Sequence, residues 1–416
     1  MSSDLDLTSE LSNWTSRWER GGRDVLAKGA QWELYDQLNN AGIYPYFQAL
    51  DENQGPVARY QGREVLMLGS NNYLGLTTHP KVREAAINAI QKYGTSMTGS
   101  RFLNGTMKIH EELEDKLAKF LGKPGAVVFT TGYQANLGML TAIINKEAVA
   151  VIDKFAHASI HDGCRLMEGE SIKFQHNNVE DADRIIAAIP QDKGPLLFVD
   201  GVYSMEGNLA RLPEMVKVAK KHGARIAVDD AHGIGVMGPG GRGTCHHFGV
   251  EKEIDLIVGT FSKSLASIGG FVAGDKSVMN FIRHFGRPMI FSASLAPSCA
   301  AAASAALDVL MEQPELSERV RKNTQYMKKN LDAMGYKTAN ADAAIVPVII
   351  GDSLKTFCLW KDLLDAGVYT NPVLYPAVAR GREMLRTSYL ATHNQDHLNR
   401  ALEVFRTVGK SYDIIS

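Results

Sequence analysis

Lys263 lies in Gly259-Thr260-Phe261-Ser262-Lys263-Ser264, after a short apolar run and ahead of Gly269-Gly270. A lysine in a loop is ordinarily solvated. An amine crowded by small hydroxyls is also well placed to be held against a phosphate-bearing ligand. Asp229 ends another apolar run, Arg225-Ile-Ala-Val-Asp. A carboxylate buried at a strand end is costly unless paired. It therefore either bonds a helix N-terminus or meets a cationic ring nitrogen. Thr130-Thr131-Gly132-Tyr133-Gln134 follows a third apolar run and opens a helical pattern. Backbone N–H groups and the helix dipole at such a turn suit an anion, although many such turns are plain connections. An imine-forming amine, a carboxylate for a pyridinium and an anion cradle are together what pyridoxal phosphate requires.

Other strand ends carry polar groups too. Ala148 to Asp153 is followed by Phe155-Ala156-His157-Ala158-Ser159. Leu196 to Asp200 is followed by Gly201-Val202-Tyr203-Ser204-Met205-Glu206. Asp229 leads into Asp230-Ala231-His232. Open α/β sheets bind ligands at the carboxyl ends of their strands. Five such ends in one chain point to a single crevice.

The elements that must position these residues are legible from periodicity. Helices are expected at 81–93, 107–121, 133–144 and 212–222. Short apolar strands are expected at 126–129, 148–153, 196–200, 225–229 and 256–259. Such alternation indicates an α/β chain built on a mostly parallel sheet covered on both faces. An Ala-rich helix begins near Leu295, and a smaller α+β section follows it. The expected division is a helical arm with a short β segment (1–60), a large domain (61–300) and a small domain (301–416). In the arm, Leu11, Trp14 and Trp18 recur at helical spacing.

Composition supports this and excludes other classes. At roughly 150 residues per domain, 416 residues suggest two or three domains. A hydrophobic share of 45% and a charged share of 22% are globular, which excludes disorder and collagen. With 45 basic against 46 acidic residues, nothing favours nucleic acid as a partner. Four scattered cysteines, without a CxxC, fit a reduced, cytoplasmic protein. The polar start lacks the pattern of a secretory signal, and no apolar stretch is long enough to cross a bilayer.

Two decoys need weighing. Gly233-Ile-Gly235-Val-Met-Gly238 matches a dinucleotide fingerprint, but Pro239-Gly240-Gly241 follows where a helix should begin. A nicotinamide enzyme is therefore a minor alternative. Cys245-His246-His247 and the His157/His161 pair lack the further ligands of a metal site, so no metal is expected. His110, His176 and His284 read as surface or capping residues. A protein that keeps the fold without catalysis is a further alternative, opposed by the intact Lys263, Asp229 and His157.

Several segments resemble the α-oxoamine synthases, which are pyridoxal phosphate enzymes of fold type I (aspartate-aminotransferase-like). They are Gly69-Ser-Asn-Asn-Tyr73-Leu-Gly75, Gly99-Ser-Arg101-Phe-Leu-Asn104-Gly105-Thr, Thr131 to Asn136, Asp229 to His232, Gly259 to Ser264 and Phe291-Ser-Ala-Ser294-Leu-Ala-Pro297. The similarity spans about residues 40 to 410. It implies that Lys263 holds the cofactor and removes the substrate's α-proton, and that Asp229 pairs with the pyridinium. His157 would stack on the ring and orient substrate, and His232 would bond the ring's 3-hydroxyl. Gly132, Tyr133, Thr260 and Ser262 would line the phosphate, with Ser204 nearby. A partner subunit would contribute Ser292 and Ala293, so a homodimer is implied. Tyr73 lies in a segment that would reach the neighbouring site. Arg386, rather than Arg380 or Arg382, would grip the substrate carboxylate. The residues around Lys263, His157 and Tyr203 are most similar to the branch that condenses L-serine with a long-chain acyl-CoA. Branches using glycine or alanine with a shorter acyl-CoA are the alternative. Peripheral contact with the inner membrane would suit a lipid product.

Overall fold

Apolar runs that end in a polar residue become the strands of the main sheet. The computed structural model describes residues 23–30 and 32–416. The spacing at Leu11, Trp14 and Trp18 lies outside them. The chain forms two compact units: residues 71–322 with 342–344, and the described residues up to Ser70 with 323–341 and 345–416.

The larger unit contains, in chain order, α1 (Pro80–Tyr93), α2 (Lys108–Leu121), β1 (Gly125–Phe129), α3 (Gly132–Ile143), β2 (Ala148–Asp153) and α4 (Ala158–Leu166). Next come β3 (Glu170–Phe174), α5 (Val179–Ala187), β4 (Gly194–Asp200), α6 (Leu212–His222) and β5 (Arg225–Asp229). Then follow β6 (Leu256–Thr260), β7 (Gly270–Gly274), α7 (Lys276–Phe285) and α8 (Pro297–Glu312). The strand order is β1-β7-β6-β5-β4-β2-β3. Strands β3, β2, β4, β5 and β6 pair in parallel, while β7 runs antiparallel to both β6 and β1. This is the mostly parallel α/β sheet expected. Successive strand residues point to opposite faces. Ala150, Val151 and Ile152 are nevertheless all buried, so both faces are covered.

Two strands of this sheet escaped the periodicity. β3 is an edge strand whose first four residues are exposed, so Glu170-Ser-Ile-Lys carries no apolar signal. β7 is framed by Gly270 and Gly274, and pairs with β6 as a hairpin. The Lys263 segment is therefore a hairpin loop, not a strand-to-helix turn.

In the smaller unit, Val57–Tyr60 and Arg63–Met67 form an antiparallel hairpin. Val368–Tyr369 adds in parallel beside Leu66 and Met67. The hairpin's open edge is thus completed by a strand from far along the chain. This joins the expected arm, from its described part onward, to the C-terminal elements. Lys337–Thr338, Ile345–Ile349, Met384–Ser388 and Asn371–Val373 form a second, antiparallel sheet in that order. Its core gathers Trp360, Tyr389 and Phe405. The division between units falls at 322/323, inside the helix Glu315–Met334, rather than in the Ala-rich helix. That helix, α8, belongs to the larger unit. Its alanines are buried, and Lys116 of α2 bonds Asp308 and Ser304 of α8, each at 2.7 Å.

A buried ion cluster braces the turn 99–106. Glu114 Oε1 accepts from Arg101 Nη1 and from Val128 N, both at 2.9 Å, and its Oε2 accepts from Arg283 at 3.0 Å. Removing the acid strands a buried guanidinium. Glu114→Ala should cost about 3–5 kcal/mol, read as a lower urea midpoint. Beside it, His110 is a buried capping residue of α2. Its Nδ1 accepts from Met107 N and its Nε2 bonds Leu295 O at 2.8 Å. Burial, and then the Arg101 cation, push its pKa down to about 4. The folded value lies below the unfolded one, about 6.5. Between the two, the unfolded chain binds more protons, so stability is full above about 6.5 and falls as pH drops towards 4. His110→Gln should flatten that slope in denaturation curves taken across this range.

Candidate cofactor site

The carboxyl ends of five strands of the larger unit meet at a cavity of about 280 Å³. Thr131, Gly132, Tyr133 and Asn136 enter from β1 and α3, and His157 and Ser159 from the β2–α4 turn. Asp200 and Val202 follow β4, Asp229 and His232 follow β5, and Thr260, Ser262 and Lys263 follow β6.

The wall beside Lys263 is shaped for an anion. Thr131 caps α3, its hydroxyl accepting from Gln134 N at 3.1 Å. Gly132 begins that helix, where free N–H groups and the dipole favour negative charge. The hairpin that holds Lys263 is closed by Phe261 N on Gly269 O and Ser267 N on Phe261 O, each at 2.9 Å. Thr260 Oγ1 donates to Gly269 O at 2.9 Å and lies 2.8 Å from Ser262 Oγ. Turn and hairpin touch because both present glycine. A Cβ on Gly270 would stand 2.4 Å from Gly132 Cα.

Acids line the opposite wall. Asp200 and Asp229 are direct partners across β4 and β5. Burial, and then the charge of Asp229, hold the Asp200 carboxyl well above the usual carboxylate range. Asp200 Oδ2 accepts from His157 N at 3.1 Å and so fixes the start of α4. Asp229 Oδ1 accepts from Ala231 N at 3.0 Å, and its Oδ2 from Asn136 Nδ2 at 2.7 Å. Burial lowers the pKa of His157, with Asp229 opposing and Lys263 reinforcing the shift. The turn before it is clamped from behind. Asp153 accepts from Phe155 N and Asn177 N, both at 2.7 Å, from Tyr203 at 2.9 Å and from His176 at 3.0 Å.

The residues expected at the site are thus largely assembled. Lys263, Asp229, His157, His232, Gly132, Tyr133, Thr260 and Ser262 share one cavity. Ser204 does not line it and lies in the turn beyond Val202. Ser292 and Ala293 sit against the same chain's β1–α3 turn: Thr130 donates to Ala293 O at 2.7 Å, and Gln134 to Ser292 Oγ at 3.2 Å. Tyr73 is fully buried, its hydroxyl 2.7 Å from His232 Nδ1, so its side chain is not exposed to reach outward. Arg386 is buried in the middle of Met384–Ser388 in the smaller unit, while Arg380 lies over the Tyr375 ring and Arg382 is exposed. His176 is not a surface residue but the partner of Asp153.

Asp200, Asn136, Ser159 and Asp153 were not singled out from the sequence. A signal existed, because three apolar runs each end in Asp. The glycine fingerprint opens no α-helix, only the three-residue 3₁₀ turn Pro239–Gly241, and Gly235, Gly238 and Gly241 take positive φ, which removes the dinucleotide reading. Among the described residues no cluster of His, Cys, Asp or Glu could hold a metal ion.

The cavity fits pyridoxal phosphate. It offers an amine, a carboxylate and an anion cradle, and Asn136 Oδ1 is buried there without a hydrogen-bond partner. The comparisons agree. The family model "Aminotransferase class I and II" matches residues 63–405. A serine palmitoyltransferase of Bacteriovorax stolpii is 44% identical over 95% of this chain and 94% of its own. The structure of Sphingomonas wittichii serine palmitoyltransferase covers 94% of this chain and 100% of its own, with TM-score 0.92 and 40% identity. A high-resolution structure of SPT with PLP internal aldimine matches with the same coverage, TM-score 0.91 and 39% identity. The chain belongs to the aminotransferase class I and II family, in its α-oxoamine synthase branch.

Proposed function

We propose that this enzyme is a serine palmitoyltransferase: it condenses L-serine with palmitoyl-CoA, releasing coenzyme A and carbon dioxide and yielding 3-ketosphinganine. Pyridoxal phosphate is the cofactor. The observation that carries the reading is the cavity that unites Lys263, Asp229 and His157 with the Thr131–Gly132 helix start. The 44% identity to a serine palmitoyltransferase supports the choice of substrates.

Bound pyridoxal phosphate supplies an aldehyde that condenses with amines and a ring that accepts the electron pair left by a departing proton or carboxylate. The protein's own groups do the rest. Lys263 would hold the cofactor and, in turnover, take the substrate's α-proton on its Nζ. Asp229 places a negative charge against the ring nitrogen and keeps it protonated. Gly132, Tyr133, Thr260 and Ser262 bind the phosphate, with Ser204 in support. His157 covers the ring and orients substrate, and His232 orients the 3-hydroxyl. The serine carboxylate is assigned to Arg386, whose guanidinium fork suits it. A homodimer would bring Ser292 and Ala293 to a second copy's phosphate. Among the described residues no helix is long and apolar enough to cross a membrane. Action in the cytoplasm with peripheral contact at the inner membrane suits a lipid product.

Purified enzyme incubated with single amino acids and acyl-CoA thioesters tests this. Serine with palmitoyl-CoA should release coenzyme A and give the long-chain amino ketone. Turnover of glycine with acetyl-CoA, and none of serine with palmitoyl-CoA, contradicts it.

A further inference from the structure

The proton ledger behind His157 has a single solution. A carboxylate only accepts, so the Asn136 group 2.7 Å from Asp229 Oδ2 is the amide nitrogen. Reversing the amide would set oxygen against oxygen. The same nitrogen stands 2.8 Å from Ser159 Oγ, so both amide protons are committed and Ser159 Oγ accepts. The Ser159 hydroxyl proton then has one acceptor, His157 Nδ1 at 2.7 Å. If Nδ1 carried the ring proton, that hydroxyl would be left with no acceptor. The backbone N–H of Ser159 points to the same nitrogen at 3.3 Å. Ser159 and Asn136 are almost wholly buried, so water does not compete. Nδ1 therefore receives two donors, and the ring's own proton sits on Nε2. Among the described residues no protein group bonds His157 Nε2, and the ring lines the cavity.

We infer that Ser159 and Asn136 are positioning residues: the chain Asp229–Asn136–Ser159–His157 locks the imidazole as its neutral Nε2–H tautomer, aimed to donate to an oxygen of the amino-acid substrate. Asp229 and His157 thereby become one unit, so the groups placed on the ring nitrogen and over the ring face keep a fixed mutual geometry. This deepens the proposed function and rests on it for the nature of the ligand. The tautomer itself rests on the geometry alone.

Long-range ¹H–¹⁵N correlation on histidine-labelled protein, freed of cofactor and assigned with His157→Asn, reads the tautomer directly. A protonated Nε2 and bare Nδ1 are expected, and a protonated Nδ1 overturns the inference. Ser159→Ala should admit an Nδ1–H population and raise the KM for serine roughly fivefold with a smaller change in kcat. Ser159→Thr should restore both. An unaltered tautomer and unaltered KM in Ser159→Ala also overturn it. Should that variant fail to fold, the spectrum of the unmodified chain still decides. A correct tautomer in a protein that does not turn over serine contradicts only the proposed substrate.

Discussion

Lys263→Ala is expected to lower turnover by at least on the order of 10⁴-fold and to remove the visible absorbance of the lysine-linked cofactor. Two functions proposed for Lys263 would be lost together, the covalent anchor and the group that moves the α-proton. Among the described residues no other lysine lines the cavity. The hairpin around position 263 is closed by backbone bonds and by Thr260, and Ser267 ties it to Cys299 O of α8, so its shape should survive the substitution. Cofactor should still bind, more weakly, through the Thr131–Gly132 helix start. Absorbance spectra and a cofactor titration of the variant check both halves. A retained absorbance band would mean that another lysine is the anchor.

Asp229→Asn should cost about 10²–10³-fold in turnover while leaving the fold intact. The amide matches the carboxylate in size, so β5 and its pairing with β4 are kept. The negative charge proposed to face the ring nitrogen would be lost, and with it the support for the ring as an electron sink. The neighbouring acid offers a second readout. The charge of Asp229 helps to hold the Asp200 carboxyl high, so Asp200 should titrate at lower pH in the variant. Difference infrared spectra of the carboxyl stretch against pH would show this. An unchanged Asp200 titration would mean that burial alone sets its proton affinity.

More of the cavity's lining than of the fold that carries it was legible in the sequence. β2, β4 and β5 announce themselves as apolar runs ending in Asp, because a strand buried on both faces has no alternation to blur. β3 was hidden for the opposite reason: an exposed edge strand can be polar throughout. β7 was hidden by its glycines, of which Gly270 lets the Lys263 hairpin touch the β1–α3 turn. The union of Arg63–Met67 with Val368–Tyr369 depends on pairing across some 300 residues of chain, which no local pattern encodes. Residues that touch a ligand are marked by chemistry out of place in an apolar context, as Lys263 and Asp229 are. Residues that act through others, such as Asn136, Ser159 and Asp153, carry no such mark, since a buried hydrogen bond is an ordinary fate for Asn, Ser or Asp. Tyr73 is of the same kind, because its motif gave no sign that its hydroxyl bonds His232.

The central claim is that one crevice holds pyridoxal phosphate with Lys263 as its anchor. Reduction of the purified, cofactor-loaded enzyme with borohydride, digestion and peptide mass spectrometry test it most directly. The pyridoxyl phosphate mass should appear on the peptide containing Lys263 and nowhere else. Its appearance on a different lysine, or on none, contradicts the account.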